Sequence, residues 1–418
     1  MSRRVVITGA GVISAAGDGV VKTCDSLLRG CSNLQPLKYL DTIHKDLPCG
    51  EVPYSNEELC DILGLDRNLL ITRSSLLGIY AAREALKMAN LSREVISKEF
   101  ADRKIKVAFL NDTTVGGMDS SEKYYRDFLN NDSKNQYIML HGSGTSTLSV
   151  AECTDLDYCY ADTLSTACSA AANAIMMGAD LIRCGRADIV VAGGCECITK
   201  YHLNGFYSLM ILDPKPCRPF DADRAGLNLG EGAGFIVLES EEVARLRKAE
   251  PVAELKGYAN ACDAFHQTAV SPGGDGAVIA MRNALKMSGL QASQIDYINA
   301  HGTGTVNNDL SEGTAIDTVF CGNVPPVSST KGLTGHPTSA AGGVEAVICL
   351  IAMKHHFIPA TLRFSTQIPG LSFLPVSKTI TDVNLNNVLS NSFGFGGNDT
   401  SLIFSSYSSG RLNDGGRE

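Results

Sequence analysis

Two stretches of this chain pass through the same textures in the same order, and that repetition limits what the chain can fold into. In the first, KIKVAFLNDTT leads to YADTLSTACSAAANAIMMGADLIRCG and then to ADIVVAGGCEC; in the second, IDYINAHGTGT leads to VPPVSSTKGLTGHPTSAAGGVEAVICLIAMK and then to NNVLSNSFGFGG. Each reads as a buried strand, a polar turn entering a small-residue helix, and another buried strand, which is the alternation of an α/β protein. Ser-Ala-Ala stands at both helix starts, at Ser169 to Ala171 and at Ser339 to Ala341. Small side chains there let two helices approach closely, so equivalent loops of two duplicated halves converge on one site. Ala-rich helices also resemble one another by chance, and the repeat alone does not carry the duplication. The charged, Pro-containing stretch RKAEPVAELKG divides residues 1–250 from 251–409, with 410–418 expected as a flexible tail. The 418 residues are thus expected to form one body of two related halves.

Composition removes several functions. A formal net charge of -9 and the lack of a Lys/Arg block leave no phosphate-neutralising surface, so no nucleic-acid partner is expected. The 14 cysteines are scattered through apolar segments such as VEAVICLIAMK, as buried thiols of a reducing compartment are, and not spaced as a secreted disulfide framework. MSRRVVITGAGVIS is a first strand entering a turn, because its apolar run is short and broken by Gly9 and Gly11. No segment approaches the roughly 20 apolar residues that a membrane-spanning helix needs. A cytoplasmic location is expected.

Cys168, in STACSAA, sits where a strand gives way to a helix. The positive end of the helix dipole and unpaired N–H groups favour a thiolate there. A lone cysteine is by default a buried small hydrophobe, so other groups must join it. His301 opens HGTGT after the strand DYINA, and His336 lies in KGLTGHPTSAAG before the second small-residue helix. Strand ends and helix starts are where open α/β sheets place chemistry, and neutral imidazoles at such edges donate hydrogen bonds to an oxygen that develops charge. Lys331 supplies a positive charge beside them, with Asp309 and Glu312 in NNDLSEG as compensating carboxylates; a buried Lys-Glu pair would orient the site. The glycines around Phe395 in GFGG allow close backbone approach, and an N–H beside Cys168 completes an oxyanion hole.

With TACSAA, HGTGT, KGLTGH, NSFGFGG and RPFDADRAGLNLGEGAG (Arg218 to Gly234) in order, the sequence resembles the decarboxylating β-ketoacyl-ACP synthases of the thiolase superfamily over essentially its whole length. The resemblance implies a duplicated thiolase-like αβαβα layered fold and a homodimer in which first-half sheets meet across a twofold axis. It implies that Cys168 takes the acyl group as a thioester, that His301 and His336 stabilise the enolate formed as malonyl loses its carboxylate, and that Lys331 and Glu312 shape the electrostatics. Backbone N–H groups of Cys168 and Phe395 would form the oxyanion hole. Thr303 and Thr305 match positions that bond the pantetheine arm, Val115 one that lines the acyl pocket, and Phe393 one in contact with substrate. The implied partner is an acyl carrier protein bearing acyl or malonyl groups, in fatty-acid or polyketide synthesis; no metal or organic cofactor is called for.

The chain departs from common members in several places. Leu69-Leu70-Ile71 and Met210 stand where relatives carry basic residues, leaving Arg67, Arg73, Lys200, Lys215 and Arg218 to meet an acidic carrier. GFGG is followed by Asn398-Asp399 instead of Thr-Asn, and DPKPCRPFD is a shorter connection than usual, a pointer to polyene or other polyketide synthesis. A degradative thiolase would need a second reactive cysteine after Cys349, and none follows. An inactive chain-length partner of a heterodimeric synthase would lack the nucleophile, against which Cys168 argues, while a heterodimer with this chain as its active half stays open.

Overall fold

The computed structural model describes residues 3–131 and 135–408; the tail expected over 410–418 lies outside the described residues. Ten strands carry the architecture: β1 (Val5–Ser14), β2 (Val107–Asp112), β3 (Tyr160–Leu164), β4 (Ile189–Glu196), β5 (Gly232–Ser240), β6 (Ala253–Cys262), β7 (Tyr297–Asn299), β8 (Val327–Ser328), β9 (Asn387–Gly394) and β10 (Asn398–Ser405). They follow the order β3-β2-β4-β5-β1-β6-β10-β9-β7-β8, which is the same arrangement read outward in both directions from the centre. In the first half β2 runs parallel to β3 and β4, while β5 is antiparallel to β4 and β1. In the second half β7 runs parallel to β8 and β9, while β10 is antiparallel to β9 and β6. The halves join where Val6 lies opposite Glu254 and Ile7 opposite Ala253. The duplication read from the repeated segments is this pseudo-twofold.

Six helices complete the layers: α1 (Arg73–Met88), α2 (Ala170–Arg183), α3 (Lys200–Ser208), α4 (Asp275–Ser288), α5 (Val306–Phe320) and α6 (Ala341–His355). Side chains on successive strand residues point to opposite faces, so the first-half strands feed two cores at once. Val107 and Phe109 of β2 pack with α1, while Ala108 and Leu110 pack with α2 and α6. The strands therefore read as unbroken apolar runs, as strands covered on both faces do. The second sheet gives Val388 and Leu402 to the central core and Leu389 and Ile403 to the core under α4 and α5. The resulting order, α1, sheet, α2 with α6, sheet, α4 with α5, is the layered αβαβα fold of the thiolase-like proteins.

The middle layer decides the position of the site. Residues 341–353 of α6 are all buried, which an all-round apolar helix requires. A Cβ on Gly342 would lie 2.7 Å from the Ala172 nitrogen, so only glycine lets the starts of α2 and α6 touch. Both helix starts, with the loops that enter them, are thereby brought to one place.

Candidate active site

Cys168 occupies the turn between β3 and α2, after Ala167 in the left-handed region (φ 53°), and is 6% exposed. Ser169 is the N-cap residue of α2. At the end of β9, Gly394 passes so near that a Cβ on it would sit 3.2 Å from the Cys168 nitrogen. This approach directs the Phe395 N–H to the Cys168 thiol. The helix start does not deliver the thiolate expected from the sequence. Burial pushes the Cys168 thiol up to about 12, and the Lys331 charge and the Phe395 N–H offset that only in part. In the closed cleft the sulfur keeps its proton and needs an acceptor.

His336 provides one, with Nε2 3.1 Å from Cys168 Sγ. Its main chain is held on both sides: the His336 N–H donates to the Asn228 carbonyl at 2.8 Å, and the His336 carbonyl accepts from the Gly230 N–H at 2.9 Å. The RAGLNLGEG segment, legible in the sequence only as a signature, is thus the strap that places His336. The His301 ring stands 5.2 Å from that of His336, edge to face at 82°, and 6.0 Å from the Phe393 ring. Burial, then the Lys331 charge, holds both imidazoles well below the ordinary histidine value, so both are neutral; each further lowers or is lowered by a neighbouring histidine.

Lys331 and Glu312 both converge on His301, but not as the pair the sequence suggested. Lys331 Nζ donates to the His301 carbonyl at 2.5 Å, lies 3.4 Å from His301 Nδ1, and forms its ion pair with Glu345 of α6. Glu312 accepts the backbone N–H groups of His301 and Gly302, each at 2.8 Å, and so pins the loop that carries the histidine. Asp309 likewise takes N–H bonds from Phe220 and Gly304 and does not face Lys331. Glu345 had a sequence signal of its own, being the one charged residue in VEAVICLIAM; a buried carboxylate in an apolar helix needs a cationic partner. Burial raises Glu312 and Glu345 to about 7, with Lys331 pulling both down.

The cleft above Cys168 has a volume of about 270 Å³ and is lined by Thr303, Thr305, Phe393 and Phe395, with Phe206 and Met210 also on its wall. The Thr303 and Thr305 hydroxyls are 2.9 Å apart. Val115 is not on this wall: it is 2% exposed in the core beneath α1, and its N–H donates to Glu196 at 3.3 Å. Asn398 is a further residue whose part was not legible in the sequence; its side-chain oxygen accepts from Ser169 at 2.7 Å, Asn173 at 2.8 Å and Asn260 at 2.7 Å, tying β10 to the start of α2. Arg73 does not serve a docking surface, because it is buried against Glu231. Among the described residues, the donor atoms of Cys168, His301 and His336 lie within 4.8 Å of one another, a spacing a metal ion could bridge. The neighbouring Lys331 ammonium opposes a cation there.

Two family profiles match the chain, the N-terminal domain of β-ketoacyl synthase over residues 2–244 and the C-terminal domain over residues 252–365. The chain is 32% identical to 3-oxoacyl-[acyl-carrier-protein] synthase 2 of Staphylococcus aureus (strain COL), over 97% of this chain and 99% of that one. Its structure superposes on the ishigamide ketosynthase/chain length factor with a TM-score of 0.89 at 32% identity, covering 98% of this chain and all of that one. It also matches a type II polyketide ketosynthase solved with its acyl-carrier protein and bound to a hexaketide, with a TM-score of 0.81 at 25% identity over 97% of this chain and all of that one. No helix among the described residues is long and apolar enough to cross a membrane.

Proposed function

The chain belongs to the β-ketoacyl synthase family, and from that premise we propose that Cys168, His301 and His336 divide a decarboxylative condensation among themselves. The protein is a β-ketoacyl-ACP synthase, an acyltransferase that condenses an acyl thioester with malonyl-ACP in fatty-acid or polyketide synthesis. The observation that carries the division of roles is the 3.1 Å approach of a neutral His336 Nε2 to a protonated, buried Cys168 thiol.

In the first step Cys168 Sγ attacks the acyl carbonyl as its proton passes to His336 Nε2. The tetrahedral oxyanion lies against the N–H groups of Cys168 and Phe395, and the arm thiol leaves with the proton. In the second step malonyl loses carbon dioxide, and the enolate oxygen rests between the two imidazoles. The enolate carbon then attacks the acyl thioester, forming the carbon–carbon bond and expelling Cys168 as a thiolate, which takes up a proton from solvent to restore the thiol. Splitting the reaction this way generates the carbanion without a strong base.

The second step needs an N–H on each Nε2. An ammonium has donors only, so Lys331 beside Nδ1 fixes His301 with its proton on Nε2, toward the cleft. His336 Nδ1 is buried without a hydrogen-bond partner, so no contact on that side fixes its tautomer. It can accept a proton from Cys168 in one step and donate a hydrogen bond in the other. Lys331 and Glu312 act as positioning residues, and Thr303 and Thr305 bond the pantetheine arm. Intact-mass measurement after exposure to acyl carrier protein tests the assignment: one acyl adduct is expected, on Cys168, and an adduct that survives Cys168→Ala overturns it.

The carrier is an acyl carrier protein, and the enzyme works in the cytoplasm as a dimer formed through β3. That strand ends its sheet with residues 160–162 exposed, an unpaired edge that a second chain can extend. Sedimentation of the purified chain alone separates a homodimer from the active half of a heterodimer. The halves are taken as residues 1–250 and 251–409.

A further inference from the structure

We propose that the carrier protein docks on an apolar rim at the mouth of the cleft, formed by Leu209, Met210, Val306 and Leu310, and is held there chiefly by apolar contact and not by charge. This rests on the ketosynthase reading above. A substrate tethered to a carrier reaches Cys168 only by threading its arm between the cleft walls, so the body of the carrier must rest on the residues that frame the opening. Met210 and Val306 both line the cleft. Met210 is 88% exposed and Leu209 42%; Val306 is 55% exposed and Leu310, one turn further along α5, 41%.

Met210 also sits in the left-handed region, φ 57°, just past the end of α3. Helix ends favour glycine or asparagine in that conformation. Displaying a long apolar side chain there, almost wholly in water, is costly for the isolated protein, and contiguous exposed apolar surface marks a contact site. The arginines around the mouth are engaged inside the fold. Arg224 donates to the carbonyls of Thr305, Val306 and Asp221, and Arg363 to those of Cys217 and Gly332. The cleft lining includes the polar Thr268, Asn307 and Asn308 but no Lys, Arg, Asp or Glu, so the exposed rim offers a partner chiefly apolar groups and no charge, and the complementary face on the carrier is apolar.

The test compares Cys168 acylation by an octanoyl-loaded type II acyl carrier protein with acylation by octanoyl-pantetheine, which has no carrier body to dock. For Leu209→Asp and Leu310→Asp, which lie outside the cleft lining, kcat/KM for the carrier route is expected to fall at least about tenfold relative to the pantetheine route, with melting temperatures unchanged. Raising salt from about 0.05 to 0.5 M should change the carrier kcat/KM of the parent less than about threefold, since charge-steered docking is what salt screens. A steep loss with salt, or a carrier-to-pantetheine ratio unchanged in both variants, overturns the apolar rim in favour of docking on Lys200 and Lys215. If neither thioester acylates Cys168, the ketosynthase reading itself fails and the rim with it.

Discussion

The two halves of this protein share a scaffold and differ in what their loops do with it. In each, the loop after the central parallel strand is pinned by a buried carboxylate that accepts backbone N–H groups: Glu196 takes those of Thr114 and Val115, and Glu312 those of His301 and Gly302. In the first half the pinned loop is core wall, with Val115 buried. In the second it is the cleft itself, with His301 among the residues that line it. The helix starts differ in the same manner. Aligning the two Ser-Ala-Ala segments places Cys168 opposite Thr338, a buried hydroxyl without a hydrogen-bond partner. The duplicated frame fixes where backbone goes, and short loops decide which half carries Cys168 and which the two histidines.

The largest effect should come from breaking the comparison at its equivalent positions. Cys168→Ala should lower condensation by about a thousandfold or more, as loss of a nucleophile does. Thr338→Ala should leave the melting temperature unchanged or raised, because it removes a buried hydroxyl that satisfies nothing. If Thr338→Ala is as damaging as Cys168→Ala, the halves are not divided as described.

Next come the histidines, both from the second half. His301→Ala and His336→Ala should each slow malonyl decarboxylation on the order of 100-fold, the usual result of removing a donor to a developing oxyanion. Carbon dioxide release at the parental rate in both would remove them from the enolate.

A pH profile sharpens the comparison at β10, where this chain has Asn398-Asp399. Burial, with the nearby Asp263 and Glu312, raises Asp399 from 3.8 to about 7. A carboxyl that binds its proton more tightly when folded stabilises the fold only while protonated, so its contribution is full below 3.8 and is lost as pH rises to about 7. Melting temperature should therefore decline across that window, and less steeply in Asp399→Asn. Parallel curves for the two proteins would mean that Asp399 does not titrate there.

The smallest effect is expected at Val115. If it backs the acyl pocket, Val115→Phe shortens the products while short acyl groups still load. One methylene is worth about 0.8 kcal/mol, a modest preference. Because the residue lies in the core, the competing outcome is overpacking, which lowers the melting temperature and depresses all substrates together. An unchanged length distribution in a stable variant removes Val115 from the pocket.

The strand and helix pattern, the duplication and the convergence of Cys168, His301 and His336 were all legible in the chain, since each depends on local texture: apolar runs buried on both faces, small residues at helix starts, polar residues at strand ends. The partners within the site were not. Glu312 is nearer than Glu345 to the HGTGT motif in sequence, yet Lys331 pairs with Glu345, because α6 lies in the middle layer and brings that carboxylate to the Lys331 ammonium. Asn228 and Asn398 reach the site across the fold, and no local pattern announces a contact between distant segments.

The state of the nucleophile illustrates the same boundary. A helix start is a local feature, and its dipole alone favours a thiolate at Cys168. Desolvation depends on everything packed around the sulfur, and it dominates, leaving a thiol with His336 Nε2 3.1 Å away. The sequence by itself determined the fold class, the duplicated frame and the residue types that meet. Only the tertiary structure decided which carboxylate pairs with Lys331, that the thiol stays protonated, and that Val115 faces the core, because pairing and burial are set by non-local packing.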